Sequence, residues 1–293
     1  MADKLIRGNS MDGAVRIFVA VTTELVNQAQ QIHHTYPVAT AALGRTLTIA
    51  AIMGADMKNE TDTATIQFKG DGPLGSIVAV TDSNAHVRGY VVNPFVDLPL
   101  NAKGKLDVGG GVGKGTLSVV RDLGMKEPYA GQVPIVTGEI AEDMTYYFAS
   151  SEQIPTAIGL GVLVGTDNRA ICAGGFMLQL MPEATEEMAA KLEERMHTAE
   201  PITALLEKGM SPEDILFYLT EGFDMVVENK GIQPVYECKC SRDRMEKALI
   251  SIGKQELEDL IREQGEAELT CQFCDKKYLF NKKELETIYE KAK

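Results

Sequence analysis

The stretch from residue 63 to residue 92 reads TATIQFKGDGPLGSIVAVTDSNAHVRGYVV. It contains three short runs typical of strands, TATIQFKG, GSIVAV and AHVRGYVV. Asp71-Gly72-Pro73 separates the first run from the second, and Asp82-Ser83-Asn84 separates the second from the third. Strand-forming runs divided by short turn sequences are typical of an antiparallel meander. The stretch therefore predicts an antiparallel sheet in the first part of the chain.

Helices are predicted on both sides of this meander. Residues 14–21 (AVRIFVAV) have the pattern of a buried strand and lead into a helical pattern that ends near Ile32. Pro37 suits the first turn of a further helix, which the apolar spacing extends to about Met57. Another helix is predicted near residues 138–150. Antiparallel strands combined with helices favour the α+β fold class, here as a Gly-rich mixed α/β domain.

Charge and glycine divide the 293 residues into three parts. Residues 1–182 hold 22 of the 27 glycines and have a net charge of −4. Residues 183–230 hold 12 acidic and 4 basic residues, whereas residues 231–293 have a net charge of only −1 and hold four of the five cysteines. The composition predicts an α+β core (1–182), an acidic helical linker (183–230) and a small cysteine-rich C-terminal module (231–293).

The composition also limits the class of protein. The net charge of −13 argues against a protein that coats nucleic acid or an anionic membrane, because both require a basic surface. No run of eighteen apolar residues is present, and Met1–Lys4 do not begin a secretory signal. We therefore expect a cytoplasmic protein, whose cysteines are reduced, metal-bound or redox-reactive.

The acidic linker has its own helix signals. Met188, Leu192 and Met196 are spaced at i, i+4 and i+8, which makes one narrow apolar stripe on a heavily charged helix. Pro182 suits the start of this helix, and Ser211 with Asp214 marks the start of another.

Two other features do not point to chemistry. Residues 109–116 (GGGVGKGT) look like a phosphate-binding loop, but Val108 occupies the first glycine position and Gly115 follows the lysine. We expect a flexible turn there. Cys172 lies in an apolar strand pattern and is expected to be a small buried residue. No catalytic constellation is found, so an enzyme is not predicted.

The C-terminal cysteines form two close pairs, Cys238-x-Cys240 and Cys271-x-x-Cys274, separated by thirty residues. Two close thiol pairs on a segment able to fold back are typical of a tetrahedral thiolate zinc site. Four thiolates without a spare ligand position indicate a structural site and not a hydrolytic one. The Cys-x-x-Cys pair can also form a local disulfide, and so these four residues are candidates for both metal binding and redox chemistry.

The cysteine spacing is similar to the redox switch of a bacterial heat-shock holdase family, the 33 kDa chaperonins. Further motifs that resemble this family are RDLGMKEPY (residues 121–129), GQVP (131–134), GEIAED (138–143), YYF (146–148) and the segments SEQ (151–153) and GLGVLV (159–164). With Arg7-Gly8 included, the resemblance spans essentially the whole chain.

The resemblance implies an ATP-independent chaperone that is inactive while one zinc per chain is bound to the reduced thiolates of Cys238, Cys240, Cys271 and Cys274. Oxidants such as peroxide or hypochlorite would convert the cysteines to two disulfides and release the metal. The linker and module would then loosen, and a homodimer, joined through residues 1–182, would hold unfolding client proteins. Of three possible connectivities, we expect the local pairs Cys238–Cys240 and Cys271–Cys274, because they need no folded module to bring them together.

Two other functions remain open. A thiol-disulfide oxidoreductase would use the Cys-x-x-Cys pair, but no thioredoxin-like βαβ pattern surrounds it. A zinc-dependent nucleic-acid-binding protein would use Lys276-Lys277 and Lys282-Lys283, but the net charge of −1 of the module disfavours this function.

Overall fold

The computed structural model describes residues 2–228 and 231–292. The strands are β1 (Lys4–Ser10), β2 (Val15–Val21), β3 (Thr63–Gly70), β4 (Ser76–Asp82), β5 (His86–Val91), β6 (Gly115–Asp122), β7 (Tyr129–Ile135), β8 (Thr156–Val164), β9 (Ala170–Leu180), β10 (Met225–Val227), β11 (Val235–Tyr236), β12 (Glu266–Thr270) and β13 (Lys277–Asn281). The α-helices are α1 (Thr23–His33), α2 (Pro37–Ala55), α3 (Val108–Val112), α4 (Ile140–Tyr147), α5 (Glu186–Thr198), α6 (Ile202–Glu207), α7 (Pro212–Leu219), α8 (Arg242–Ser251), α9 (Lys254–Glu263) and α10 (Lys282–Lys291).

The chain divides into two compact units, Met1–Glu237 and Cys238–Lys293. The first unit contains a five-stranded sheet in the order β10-β1-β2-β9-β8 and a six-stranded sheet in the order β11-β5-β4-β3-β6-β7. Among the described residues, every strand pair is antiparallel except β5 with β11. The predicted α+β class is confirmed.

The helix α2 is the centre of the first unit. It packs against β8 and β9 of one sheet and against β4 and β5 of the other. Its apolar and small residues surround the helix axis, so nearly all of them are buried. Within the described part of the chain, it is the one helix long and apolar enough to cross a membrane, but 89% of its most apolar 18-residue window is buried inside the protein.

The predicted meander is confirmed as β3, β4 and β5. Thr63 pairs with Asp82 across β3 and β4, and Thr81 pairs with Val87 across β4 and β5. The turn between β4 and β5 has Ala85 at a φ of 56°, a left-handed conformation that places His86 at the start of β5.

The expectation of a flexible turn at the Gly-rich stretch is wrong at its first residues, which form the short helix α3. The Asp107 side chain accepts a hydrogen bond of 3.0 Å from the Gly110 amide and so caps this helix. The stretch also packs closely, because a Cβ at Gly111 would lie 2.9 Å from a Leu74 side-chain carbon and 3.0 Å from one of Val38.

Residues 183–228 form α5, α6, α7 and β10, and so the helices expected in the linker are present. Thr185 caps α5, and Ser211 forms a capping box with Asp214 at α7. Strand β10 pairs with β1, and α6 and α7 pack on the five-stranded sheet. Asn229 and Lys230, the end of the predicted linker, lie outside the described residues.

Because of this packing, the three helices belong to the first unit. The composition instead predicts a separate linker at residues 183–230. The first unit also continues beyond residue 230, because β11 pairs with β5 and extends the six-stranded sheet to Tyr236. The division at residues 182 and 230 therefore stays a prediction about how the parts behave and does not describe how they pack.

The second unit has a small core around the β12–β13 hairpin. Helices α9 and α10 pack against the hairpin, α8 packs against α9 and α10, and Ser241 caps α8. The buried residues of this core are Leu249, Leu257, Ala267, Cys271, Tyr278, Phe280, Leu285, Ile288 and Ala292. A buried cysteine among so few apolar side chains indicates that the thiols belong to the core of this unit.

The buried carboxylate of Asp143 holds the turn between β7 and α4. It accepts hydrogen bonds from the backbone amides of Val136 (2.8 Å), Thr137 (3.0 Å) and Gly138 (2.9 Å). Because the carboxylate is fully buried, these three bonds replace the water that it loses on folding.

We predict that Asp143→Ala lowers the free energy of unfolding by roughly 3 kcal/mol, since it removes the shared acceptor of three backbone amides that hold this turn. Urea unfolding followed by circular dichroism measures the change. Glu142→Ala, at the exposed neighbouring position, is the matched control and should change stability by less than about 0.5 kcal/mol. Equal effects of the two substitutions would contradict this role of Asp143.

Candidate metal centre

The structure brings together all four cysteines that the spacing singled out. One sulfur atom from each of Cys238, Cys240, Cys271 and Cys274 lies within 4.8 Å of every other. The Sγ atoms of Cys238 and Cys271 are 3.7 Å apart, and those of Cys240 and Cys274 are 3.4 Å apart. The thiols are free, and no disulfide joins them.

Local backbone geometry positions the two pairs. Cys271 and Cys274 lie in the turn of the β12–β13 hairpin, where the Cys271 carbonyl accepts hydrogen bonds from the amides of Cys274 (3.3 Å) and Asp275 (2.8 Å). Asp275 has a φ of 56°, so the chain turns sharply there and both sulfur atoms face the same side. Cys238 and Cys240 lie in the irregular segment immediately before α8.

The distances fit a tetrahedral metal ion. Four sulfur atoms placed about 2.3 Å from one zinc ion are about 3.8 Å from one another, close to the two measured separations. Cys271 is buried and the other three cysteines are half-buried, so the site is closed but reaches the surface. The four residues can hold a metal ion without further ligands.

The surroundings raise the pKa of two of these thiols and lower that of a third. Burial raises the pKa of Cys238 and of Cys274. Burial acts in the same direction on Cys240, but hydrogen bonds from the Tyr278 hydroxyl and the neighbouring thiols outweigh it and lower the pKa of Cys240 to about 7. Among these three residues, Cys240 therefore forms a thiolate most readily, and the thiolate is the nucleophilic form of a cysteine.

Tyr278 is a part of this site that sequence reasoning missed. Its hydroxyl donates a hydrogen bond of 3.1 Å to the Cys240 sulfur, and this bond raises the pKa of Tyr278 to about 12. The sequence around Tyr278 does not show which thiol its hydroxyl reaches. That contact depends on how the segment before α8 lies against the hairpin.

Cys172 does not belong to the cluster. It is 8% exposed, its sulfur lies 3.7 Å from the Thr203 carbonyl oxygen, and burial raises its pKa. These features match the expectation of an inert buried residue.

The comparisons with known proteins agree on one family. The family model described as Hsp33 protein matches residues 3–281. The protein named 33 kDa chaperonin from Clostridium acetobutylicum is 48% identical over 292 residues, 99% of this chain and 98% of the relative. The protein of the same name from Bacillus subtilis is 46% identical over 291 residues, 99% of each chain.

A solved structure agrees with this result. The crystal structure of the 33 kDa chaperonin (heat shock protein 33 homolog) from Thermotoga maritima superposes with a TM-score of 0.90 at 39% identity, covering 99% of this chain and 98% of that one. The agreement extends over sequence and fold together, and the chain therefore belongs to the Hsp33 family of 33 kDa chaperonins.

Proposed function

We propose that this protein is a redox-regulated, ATP-independent chaperone that holds unfolding proteins during oxidative stress in the cytoplasm. The observation that carries the proposal is the convergence of four thiols within 4.8 Å in a small unit, where Cys271 is part of the core and the other three cysteines pack against it. Family membership supports the chaperone activity, and the thiol cluster supports its control by oxidants.

In the inactive form, Cys238, Cys240, Cys271 and Cys274 hold one zinc ion per chain. A small unit with few buried apolar residues is marginally stable by itself. Structural zinc contributes roughly 10–16 kcal/mol to small zinc-dependent folds, which is enough to decide whether this unit folds. The thiolates therefore stabilise the second unit as long as they remain reduced.

Activation is the loss of these ligands by oxidation. Two cysteine thiols and one hydrogen peroxide give one disulfide and two water molecules, so two peroxides convert all four thiols. A disulfide sulfur no longer carries the negative charge that a zinc ligand requires, and the metal is released. We propose the local pairs Cys238–Cys240 and Cys271–Cys274 as the products.

The helices α5, α6 and α7 are the element that we propose to open on activation. Residues 183–230 carry a net charge of −8, and α6 and α7 have only six and eight residues, too few for independent helical stability. Their apolar side chains cover those of Ile6, Ile17 and Leu178 on the five-stranded sheet. Opening would expose both apolar faces to unfolding client proteins.

The remaining parts of the proposal concern partners. We propose a homodimer in the oxidised state, with its interface in residues 1–182, and no nucleic-acid or membrane partner. The net charge of −13 supports the absence of nucleic-acid and membrane partners, since nucleic acid and anionic lipid attract basic surfaces.

A thiol-disulfide oxidoreductase is the alternative. In such enzymes the Cys-x-x-Cys pair has a βαβ setting, whereas Cys271 and Cys274 lie in a β-hairpin turn. Suppression of client aggregation at stoichiometric amounts of oxidised protein would support the chaperone. Catalytic turnover of a dithiol substrate would instead support the enzyme. Salt-dependent DNA binding would support a nucleic-acid-binding protein.

The first prediction from this proposed function concerns the metal. We expect one zinc per reduced chain, and we expect Cys238→Ser, Cys240→Ser, Cys271→Ser or Cys274→Ser to weaken zinc binding, since each removes one thiolate. Metal analysis after dialysis against a chelator measures the retained zinc. Cys172→Ser is the matched control and should retain it. Unchanged zinc affinity in any one of the four variants removes that residue from the site.

The second prediction concerns the disulfides. Oxidised protein should contain Cys238–Cys240 and Cys271–Cys274, because each pair is separated by only one or two residues. Mass spectrometry of a non-reduced digest identifies the connectivity. A dominant Cys238–Cys271 or Cys240–Cys274 link, between the sulfur atoms nearest in the reduced structure, would reject the local pairing.

The third prediction concerns the helices. Leu192 is 3% exposed, and we expect Leu192→Glu to detach α5 by burying a charge, at a cost of roughly 2–4 kcal/mol. The variant should suppress client aggregation while still reduced and holding zinc. Met196→Glu, at a half-buried position, should act in the same direction.

Ala190→Glu is the matched control, because it adds the same charge at an exposed position of the same helix. It should leave the reduced protein inactive. In the unmodified protein, hydrogen exchange should accelerate between residues 182 and 228 on oxidation, while β2 stays protected. Equal protection of residues 182–228 before and after oxidation would contradict the opening of these helices.

A further inference from the structure

A second group of metal-ligating side chains lies in the first unit, at one end of the six-stranded sheet. Asp82 ends β4, His86 begins β5, and Glu237 directly follows β11, the strand that pairs with β5. One ligand atom from each lies within 4.8 Å of the others. The three residues come from two segments separated by about 150 positions, and only the folded sheet brings them together.

Both carboxylates converge on one ring nitrogen. The Nδ1 atom of His86 lies 3.2 Å from Oδ2 of Asp82 and 3.0 Å from Oε2 of Glu237. A ring nitrogen carries at most one hydrogen, so it donates one well-formed hydrogen bond and not two. Two negative charges therefore compete for a single proton at this position.

A divalent cation fits this arrangement better than a proton, because all three atoms can bind it at once. Ligands about 2.1 Å from a metal ion lie about 3.0–3.4 Å apart in octahedral or tetrahedral geometry, which matches both measured distances. Imidazole and carboxylate together suit zinc and neighbouring first-row metals. We propose that Asp82, His86 and Glu237 form a second divalent-metal site, with water completing the coordination.

The surrounding backbone holds the ligands in place. Oδ1 of Asp82 accepts hydrogen bonds from the amides of Asn84 (3.0 Å) and His86 (3.2 Å), which directs Oδ2 toward the ring. The Glu237 amide donates a bond of 2.9 Å to the Val87 carbonyl. The side chain of Asp82 is 12% exposed, that of His86 34% and that of Glu237 43%, and so a metal ion can enter from solvent.

The site would stabilise a weak part of the sheet. Strand β11 has only two residues, and its ladder with β5 contains two residue pairs, Val235 with His86 and Tyr236 with Val87. A metal ion shared by His86 and Glu237 adds a link across this short ladder. It therefore fixes the last residue of the first unit to the sheet, immediately before Cys238 in the chain.

Calorimetry tests the proposal with Zn²⁺ as the probe. The reduced full-length protein, already holding one zinc per chain, is titrated with further Zn²⁺, and we expect one additional equivalent to bind. His86→Gln and Glu237→Gln should each lower the affinity for this equivalent at least tenfold. His197→Gln is the matched control and should keep it, because the exposed His197 on α5 faces one carboxylate, Glu193, at 3.9 Å.

Proton NMR provides a readout that does not depend on the thiolate site. The chain has four histidines, so their ring signals can be followed individually. Added Zn²⁺ should shift the His86 ring signals and leave those of His197 unchanged. The proposal fails if no additional equivalent binds, if His86→Gln binds like the unmodified protein, or if His86 and His197 respond alike, the result expected of adventitious surface binding.

Discussion

The constraint on which the first unit depends is that its five-stranded sheet is apolar on both faces. Along β2, Phe18 and Ala20 point into the core that contains α2, whereas Ile17 and Val19 point into the other core, with residues of α5, α6 and α7. Successive side chains of a strand point to opposite faces, so an uninterrupted apolar strand needs a cover on each side. The acidic helices supply the second cover.

This constraint links the fold to the proposed chaperone activity. The α2 side is buried by one long helix packed between two sheets, and nearly every residue of that helix is buried. The other side is covered by shorter helices in a segment of net charge −8, which gain most of their stability from that contact. A protein built in this way can expose apolar surface on one side of the sheet while the rest of its core stays folded.

The second unit depends on a different feature, the cluster of four cysteine thiols in and against its small core. Its apolar core is small, and Cys271 is one of the buried residues that compose it. Thiols that can bind a metal ion are also sensitive to oxidants, so the proposed function places both the stability of this unit and its redox response in the same four side chains. A purely apolar core of the same size would have no such sensitivity.

Much of the fold and of the candidate metal centre was determined by the sequence itself. Turn residues between strand-forming runs specified the meander, Pro37 and the apolar spacing specified α2, and the two cysteine pairs identified the candidate metal ligands, because each of these signals is local and depends on neighbouring residues. Only the tertiary structure decided that α5, α6 and α7 belong to the first unit, that Tyr278 donates to Cys240, and that Glu237 meets Asp82 and His86. These features join segments far apart in the chain without a paired motif like that of the cysteines, and periodicity within one segment does not show which distant segment packs against it.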